Sequence, residues 1–253
     1  MKHTIYLLLL LLLFFCCFSC SSNVKNEVFT AQEIIDKAIE ESGGSNFNKS
    51  NIRFDFRDKS YFAKRDKGKF LLGRSFVQDS NSITDYFTNS EFQRLVDNRS
   101  VEVADSLISK YKTSINSVHY FAKLPHGLND PSVNKVLIGE ETIKGETYFK
   151  IRVTFNEVGG GEDFDDVFFY WINKKNWKTE YLAYSYNEDD GKGMRFREAY
   201  NERYIKGIRF LDYNNYRPKD STIKLIDLGK NFEKNKLNFL SKIELKNIEV
   251  DLF

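Results

Sequence analysis

Two acidic runs, a pair of histidines and a row of arginines are where this sequence could do chemistry. Glu162, Asp163, Asp165 and Asp166 follow directly on Gly159-Gly160-Gly161. Carboxylates on a flexible loop offer Ca²⁺ the hard oxygen ligands it takes, roughly six to eight of them. The run lacks the Asp-x-Asp-x-Asp-Gly spacing of a calcium loop, so a solvated hairpin end is preferred and no metal is assigned. Glu188-Asp189-Asp190-Gly191 reads as a second acidic turn. Glu162 and Asp166 facing Glu188 would suit glycoside hydrolysis only at a separation of roughly 5–9.5 Å, which spacing along the chain does not supply. His119 and His126 are split by Pro125 and lack a third ligand or a His-Glu-x-x-His pattern, which argues against zinc. His119 reads as a helix-surface or core residue. No serine sits in a Gly-x-Ser-x-Gly elbow. The triple glycine lacks the helix and lysine of a phosphate loop. The sequence therefore points to no enzyme and no cofactor. Arg195 and Arg197 lie with Glu198 among aromatics, and Arg203 and Arg209 are near. Arginine suits carboxylate or phosphate headgroups; cross-strand ion pairs are the plainer reading.

These residues need a scaffold, and the pattern predicts a mainly β one. The 253 residues are 15% aromatic with 3 prolines, which excludes disordered and collagen-like chains. A net charge of +2 gives no drive toward nucleic acid. Thr30-Ala31-Gln32-Glu33 is a capping box. Ile34, Ile35, Ala38 and Ile39 share one helix face, which Gly43-Gly44 ends. Period-two alternation then begins at Ile52, Phe54 and Phe56, with a hairpin turn at Asp66-Lys67-Gly68. Short strands are predicted at Tyr86-Phe87, Leu95-Val96 and Val101-Val103. A second helix is predicted from Asp105 to about Leu124, stopped by Pro125. Further strands are predicted at Phe149–Phe155, Val167–Asn173, Trp177–Tyr186, Arg195–Tyr204, Ile208–Tyr213 and Lys242–Val250. In the Val167 strand, Phe169 and Trp171 fall on one face, and Phe168, Tyr170 and Ile172 on the other. No linker divides 28–253, which is read as one domain.

The first residues predict an address. Lys2 precedes an apolar run from Ile5 to Phe18, shorter than the roughly 17–25 residues of a spanning helix, so 1–19 reads as a secretory signal peptide. Cys17-Phe18-Ser19-Cys20 resembles the lipobox of bacterial lipoproteins. Ser19 is the small residue needed before the modified Cys20, and Cys17 stands where the motif prefers Leu. Cleavage between Ser19 and Cys20 would leave a lipidated Cys20 as the membrane anchor. Residues 20–27 would form a tether of roughly 15–18 Å.

Two family resemblances add expectations. Phe168–Asn173, a turn, then Thr179–Tyr184 resembles the paired strands of LolA/LolB-type lipoprotein carriers. More of the chain resembles a family of Bacteroidota envelope lipoproteins without established activity, through Leu128–Pro131, Gly159–Phe164, Met194–Tyr200 and Gly207–Phe210. The carrier resemblance implies a large curved antiparallel sheet or half-open barrel, with two or more helices covering its concave face around an acyl-chain cavity. It also implies a protruding apolar loop, for which Leu124–Leu128 is the candidate. The expected ligand-binding set is Phe149, Phe169, Trp171, Tyr181, Tyr184, Arg195 and Arg197. The expected place is the outer membrane facing the periplasm, with a lipid or a lipoprotein acyl chain as partner. The rival expectation is a structural or partner-binding envelope lipoprotein whose core is filled; an enzyme on glycans or lipids has the least support.

Overall fold

A computed structural model describes residues 28–159, 164–188 and 191–253. The expected signal peptide with Ser19 and Cys20, the expected tether, Glu162 and Asp163 lie outside the described residues. The chain opens with α1 (Ala31–Glu41). Its capping box is formed: the Glu33 amide donates to Thr30 Oγ1 at 3.2 Å, and the Thr30 amide donates to Glu33 Oε2 at 2.8 Å. Six strands follow, β1 (Lys49–Phe56), β2 (Lys59–Asp66), β3 (Lys69–Gln78), β4 (Asn81–Thr88), β5 (Phe92–Val96) and β6 (Arg99–Val101). Helix α2 (Asp105–Ala122) leads to β7 (Val133–Ile143), β8 (Glu146–Phe155), β9 (Phe168–Asn173), β10 (Thr179–Glu188), β11 (Gly191–Ile205) and β12 (Ile208–Pro218). The short α3 (Leu228–Glu233), β13 (Leu237–Ile243) and β14 (Lys246–Leu252) end the chain.

The strands form two seven-stranded antiparallel sheets, ordered β14-β1-β2-β3-β4-β5-β6 and β13-β12-β11-β10-β9-β8-β7. Most neighbours are successive along the chain because tight turns join them. Lys67-Gly68, Lys144-Gly145 and Lys206-Gly207 all take positive φ at both residues, the conformation that matches the twist of a two-residue hairpin. Edge strands β6 and β7 do not pair with each other among the described residues, so the arrangement is open, as the expected half-barrel requires.

Three elements differ from the sequence reading. The expected strand Lys242–Val250 is two strands, broken at Glu244-Leu245, where the chain passes from one sheet to the other. There β14 pairs with β1, with Ile52 opposite Val250. Strand β7 was not expected: its outer half exposes Val136 and Ile138, so it lacks a clean apolar face. The third is α3, too short to show a period.

One core joins the sheets. Ile34, Ile35 and Ala38 of α1 are fully buried against Ile52, Phe54 and Val250 of the first sheet and Ile151, Tyr170 and Leu182 of the second. Helix α2 bridges them, with Ile115 packed on Ala63 and Leu72 of the first sheet and Phe121 in the shared core. Leu124, Pro125, His126 and Leu128 are buried, which corrects the expectation of a protruding apolar loop: two leucines are better removed from water than displayed in it.

Candidate functional site

The seam between the C-terminal half of α2 and the inner face of the second sheet gathers the most chemistry. Alternation along β9 sends Phe168 and Tyr170 inward and Phe169 and Trp171 outward. Phe168 is the hub of the inner set, stacked on Tyr184 at 5.3 Å and touching Tyr120 at 5.4 Å and Phe155 at 5.8 Å. The hydroxyls of Tyr120 and Tyr170 meet at 2.7 Å. Burial pushes both phenols well above their ordinary range, so both stay neutral hydrogen-bonding groups.

Arg197 stands at the edge of this cluster. Register places it opposite Leu182 on the inner face. Its Nη2 donates to Tyr184 Oη at 2.8 Å, and its guanidinium lies over Phe121 at 5.0 Å and Tyr184 at 4.9 Å. Its Nε is buried and has no partner. Among the described residues no carboxylate forms an ion pair with it. Arg203 and Arg209 do follow the cross-strand reading: Arg203 grips Asp212 through two bonds of 3.0 and 2.8 Å, and Arg209 pairs with Glu202. Arg195 lies over Tyr186 at 4.8 Å and donates to the Met194 carbonyl. Arg197 is thus a cation with donors to spare amid rings, an arrangement able to hold one anionic group beside an apolar surface.

The seven expected ligand residues do not line one space. Phe149, Tyr184, Arg195 and Arg197 belong to the inner face, with Phe149 stacked on Trp177 at 5.6 Å. Phe169, Trp171 and Tyr181 belong to the outer face, packed with Phe196 and with Leu228 of α3. There Lys150 Nζ donates to Glu141 Oε2 at 2.6 Å and to the Ile226 carbonyl, a buried pair that fastens the α3 segment to the sheet. Tyr120, Phe168 and Tyr170 were absent from the expected set. Strict alternation already separated Phe168 and Tyr170 from Trp171, but only the fold tells which face meets α2.

Where the ring-lined hollow was expected, α1 and α2 pack Ile34, Ile35, Val118 and Phe121 into the core between the sheets. The two hollows that stand out are on the surface. One, of about 330 Å³, is bordered by Thr222, Lys224, Asp227, Lys230 and Lys234; the other, of about 220 Å³, by Ser45, Lys49 and Phe253. Of the acidic run, Asp165 accepts from Asn187 Nδ2 at 2.5 Å, and Asp166 is near enough to raise the Tyr120 phenol. No cluster of three or more histidine, cysteine or carboxylate residues suited to a metal occurs among the described residues. His119 is a core residue, its ring nitrogen bonded to the Gly73 carbonyl at 3.1 Å.

The model of a family of unknown function, DUF6503, matches residues 9–245, and the chain belongs to that family. No curated protein matches it. Among solved structures, the chain is similar to a LolA superfamily protein from Nitrosomonas europaea, at 14% identity over 88% of this chain and 92% of that one, with a TM-score of 0.43. It is similar to a DUF1329 family protein from Desulfovibrio piger, at 12% identity over 88% and 94%, with a TM-score of 0.44. The lipoprotein LppX of Mycobacterium tuberculosis aligns at 12% identity over 63% and 90%, with a TM-score of 0.28. No helix among the described residues is long and apolar enough to cross a membrane.

Proposed function

We propose that this DUF6503 member is a lipid-anchored envelope protein, held at the outer membrane facing the periplasm, that binds an acyl-chain amphiphile without covalent chemistry. The observation that carries the reading is Arg197: a ring-flanked guanidinium with a buried, unpartnered Nε beside the Phe168 cluster. An anionic head would take the free donors of Arg197. The tail would lie along Phe155, Phe168 and Tyr184, each buried methylene contributing about 0.8 kcal/mol.

The tail needs the place now held by Tyr120 and Phe121, so binding requires the end of α2 to move. The helix is fastened partly by polar contacts that can exchange with water: Arg74 Nη1 donates to Ser114 Oγ at 2.7 Å, Arg94 lies over Tyr111 at 3.9 Å, and Tyr120 meets Tyr170. The anchor rests on Cys17-Phe18-Ser19-Cys20.

Native mass spectrometry of the chain purified from envelopes in non-ionic detergent should show a bound acyl lipid, which Arg197→Met should lose. A wild-type chain with no co-purifying lipid and no uptake of a fluorescent fatty acid would refute the ligand. Cys20→Ala should move the protein from the membrane to the soluble fraction. A second reading, a filled-core structural or partner-binding lipoprotein, is favoured by the complete burial of Ile34, Ile35, Ile151 and Tyr170 where the hollow was expected. It predicts the refuting result.

A further inference from the structure

We propose that Arg65 and Lys123, beyond the C-terminal end of α2, form a binding site for a small oxyanion, a phosphate or carboxylate group. The site is distinct from Arg197 and does not rest on the amphiphile reading.

Three segments build it. Strand β2 supplies Arg65, whose guanidinium lies over the Phe47 ring at 4.3 Å. Phe47 comes from the 3-10 turn Gly44–Asn48 and stacks on the His126 ring at 4.1 Å with 4° between planes. The flat guanidinium is therefore braced on a rigid plate, which orients its planar fork of donors. The loop after α2 supplies Lys123. At Gly127, whose φ is +94°, a Cβ would come within 2.8 Å of Lys123 Nζ. The bare glycine backbone is what lets the ammonium lie there.

The charges do not balance. Arg65 and Lys123 are each only half-exposed, and neither forms an ion pair among the described residues. Burial first, then Arg65, lowers the Lys123 ammonium, and burial lowers Arg65 to about 10. One acid, exposed Asp130, acts on both, and it also acts on Lys135, whose Nζ donates to the Leu128 carbonyl at 2.8 Å. The nearby histidines add no charge of their own. His119 and His126 are held neutral by burial, with pKa values lowered to about 3 and about 4. Lys135 also has Asp36, whereas Arg65 and Lys123 share Asp130 alone and form no ion pair among the described residues. Chelation of an oxyanion between a guanidinium and an ammonium relieves this. The plainer role, neutralising the carbonyl end of α2, explains one cation near the helix end but not two repelling each other.

The test is calorimetric titration of the full chain in non-ionic detergent with inorganic phosphate, acetate, and chloride as control. Phosphate should bind and chloride should not, and acetate binding would show a carboxylate to be accepted. Lys123→Met should weaken binding about tenfold or more, the cost of losing one partner of a charge-assisted contact. Asp130→Asn changes only an exposed residue and should tighten phosphate binding about three- to tenfold by removing a competing charge. Mixed micelles carrying phosphatidic acid against phosphatidylcholine distinguish a lipid headgroup from a free anion. Absence of heat with 20 mM phosphate, or an Asp130→Asn variant no tighter than wild type, would overturn the site. If Lys123→Met only lowers the melting temperature and phosphate raises it in neither protein, the cations serve the helix end alone.

Discussion

In β9 every residue from Phe168 to Asn173 is buried, whereas in β5 none of Phe92–Val96 is. The second sheet is covered on both faces, by α1 and α2 inside and by α3 and its flanking loop outside. The first sheet alternates, as in β1, where Ile52 and Phe54 are buried and Arg53 is exposed. It also carries charge inward. Asp85 is 0% exposed and bonded to both Arg74 and Arg94. A strand with one wet face can be read from its period, while a strand apolar on both faces declares only that something must cover it. Helix α2 meets both kinds of surface, a polar one at Arg74 and Arg94 and an aromatic one at Phe168 and Tyr170.

The contrast is broken most strongly at the two buried centres. Asp85→Ala leaves buried Arg74 and half-buried Arg94 without their carboxylate and should cost about 3–5 kcal/mol. Trp171→Ala empties the outer cover and should cost a similar amount, about 3–5 kcal/mol. Urea unfolding measures both. A loss below 1 kcal/mol at Asp85 would mean the first sheet is held by its apolar residues alone.

Acid sharpens the comparison at the junction of the two regions. Burial first, then neighbouring cations, holds His119 and His126 neutral to about pH 3 and about pH 4, against 6.5 in an unfolded chain. Each hydrogen bond to a backbone carbonyl opposes this only in part. Below 6.5 the unfolded chain takes up protons that the folded one refuses, so stability is full above 6.5 and falls as pH drops toward 3. At pH 5 the loss is about 2 kcal/mol per histidine by linkage. Melting temperature followed from pH 7 to pH 5 should fall, and His126→Gln should remove part of the slope. A flat profile would place both rings in contact with water.

Smaller effects mark the seam and the open face. Tyr170→Phe removes the bond to Tyr120 and should cost about 1 kcal/mol, with faster hydrogen exchange at the end of α2 than at its start. Val77 on the first sheet is 74% exposed, and Val77→Ala should stay within about 0.5 kcal/mol in the same assay.

Much of the scaffold was legible because local physics fixes it. Thr30 and Glu33 specify a helix start wherever the helix lies, and Lys67-Gly68 bends a hairpin without help. The alternation at Ile52–Phe56 names its buried face. The site was legible in part. Arg197 could be singled out as a cation among rings, but Arg203 and Arg209 looked the same in sequence and proved to be paired. Phe169, Trp171 and Tyr181 shared the composition of the inner residues and face the other way.

What sequence alone determined, then, were the turns, the capped helix and the strand periods, each set by groups a few residues apart. Tertiary structure decided which face of β9 meets α2, which arginine lacks a carboxylate, and that Arg65 from β2 comes beside Lys123. Those outcomes depend on contacts between residues dozens of positions apart, whose distances no local spacing encodes.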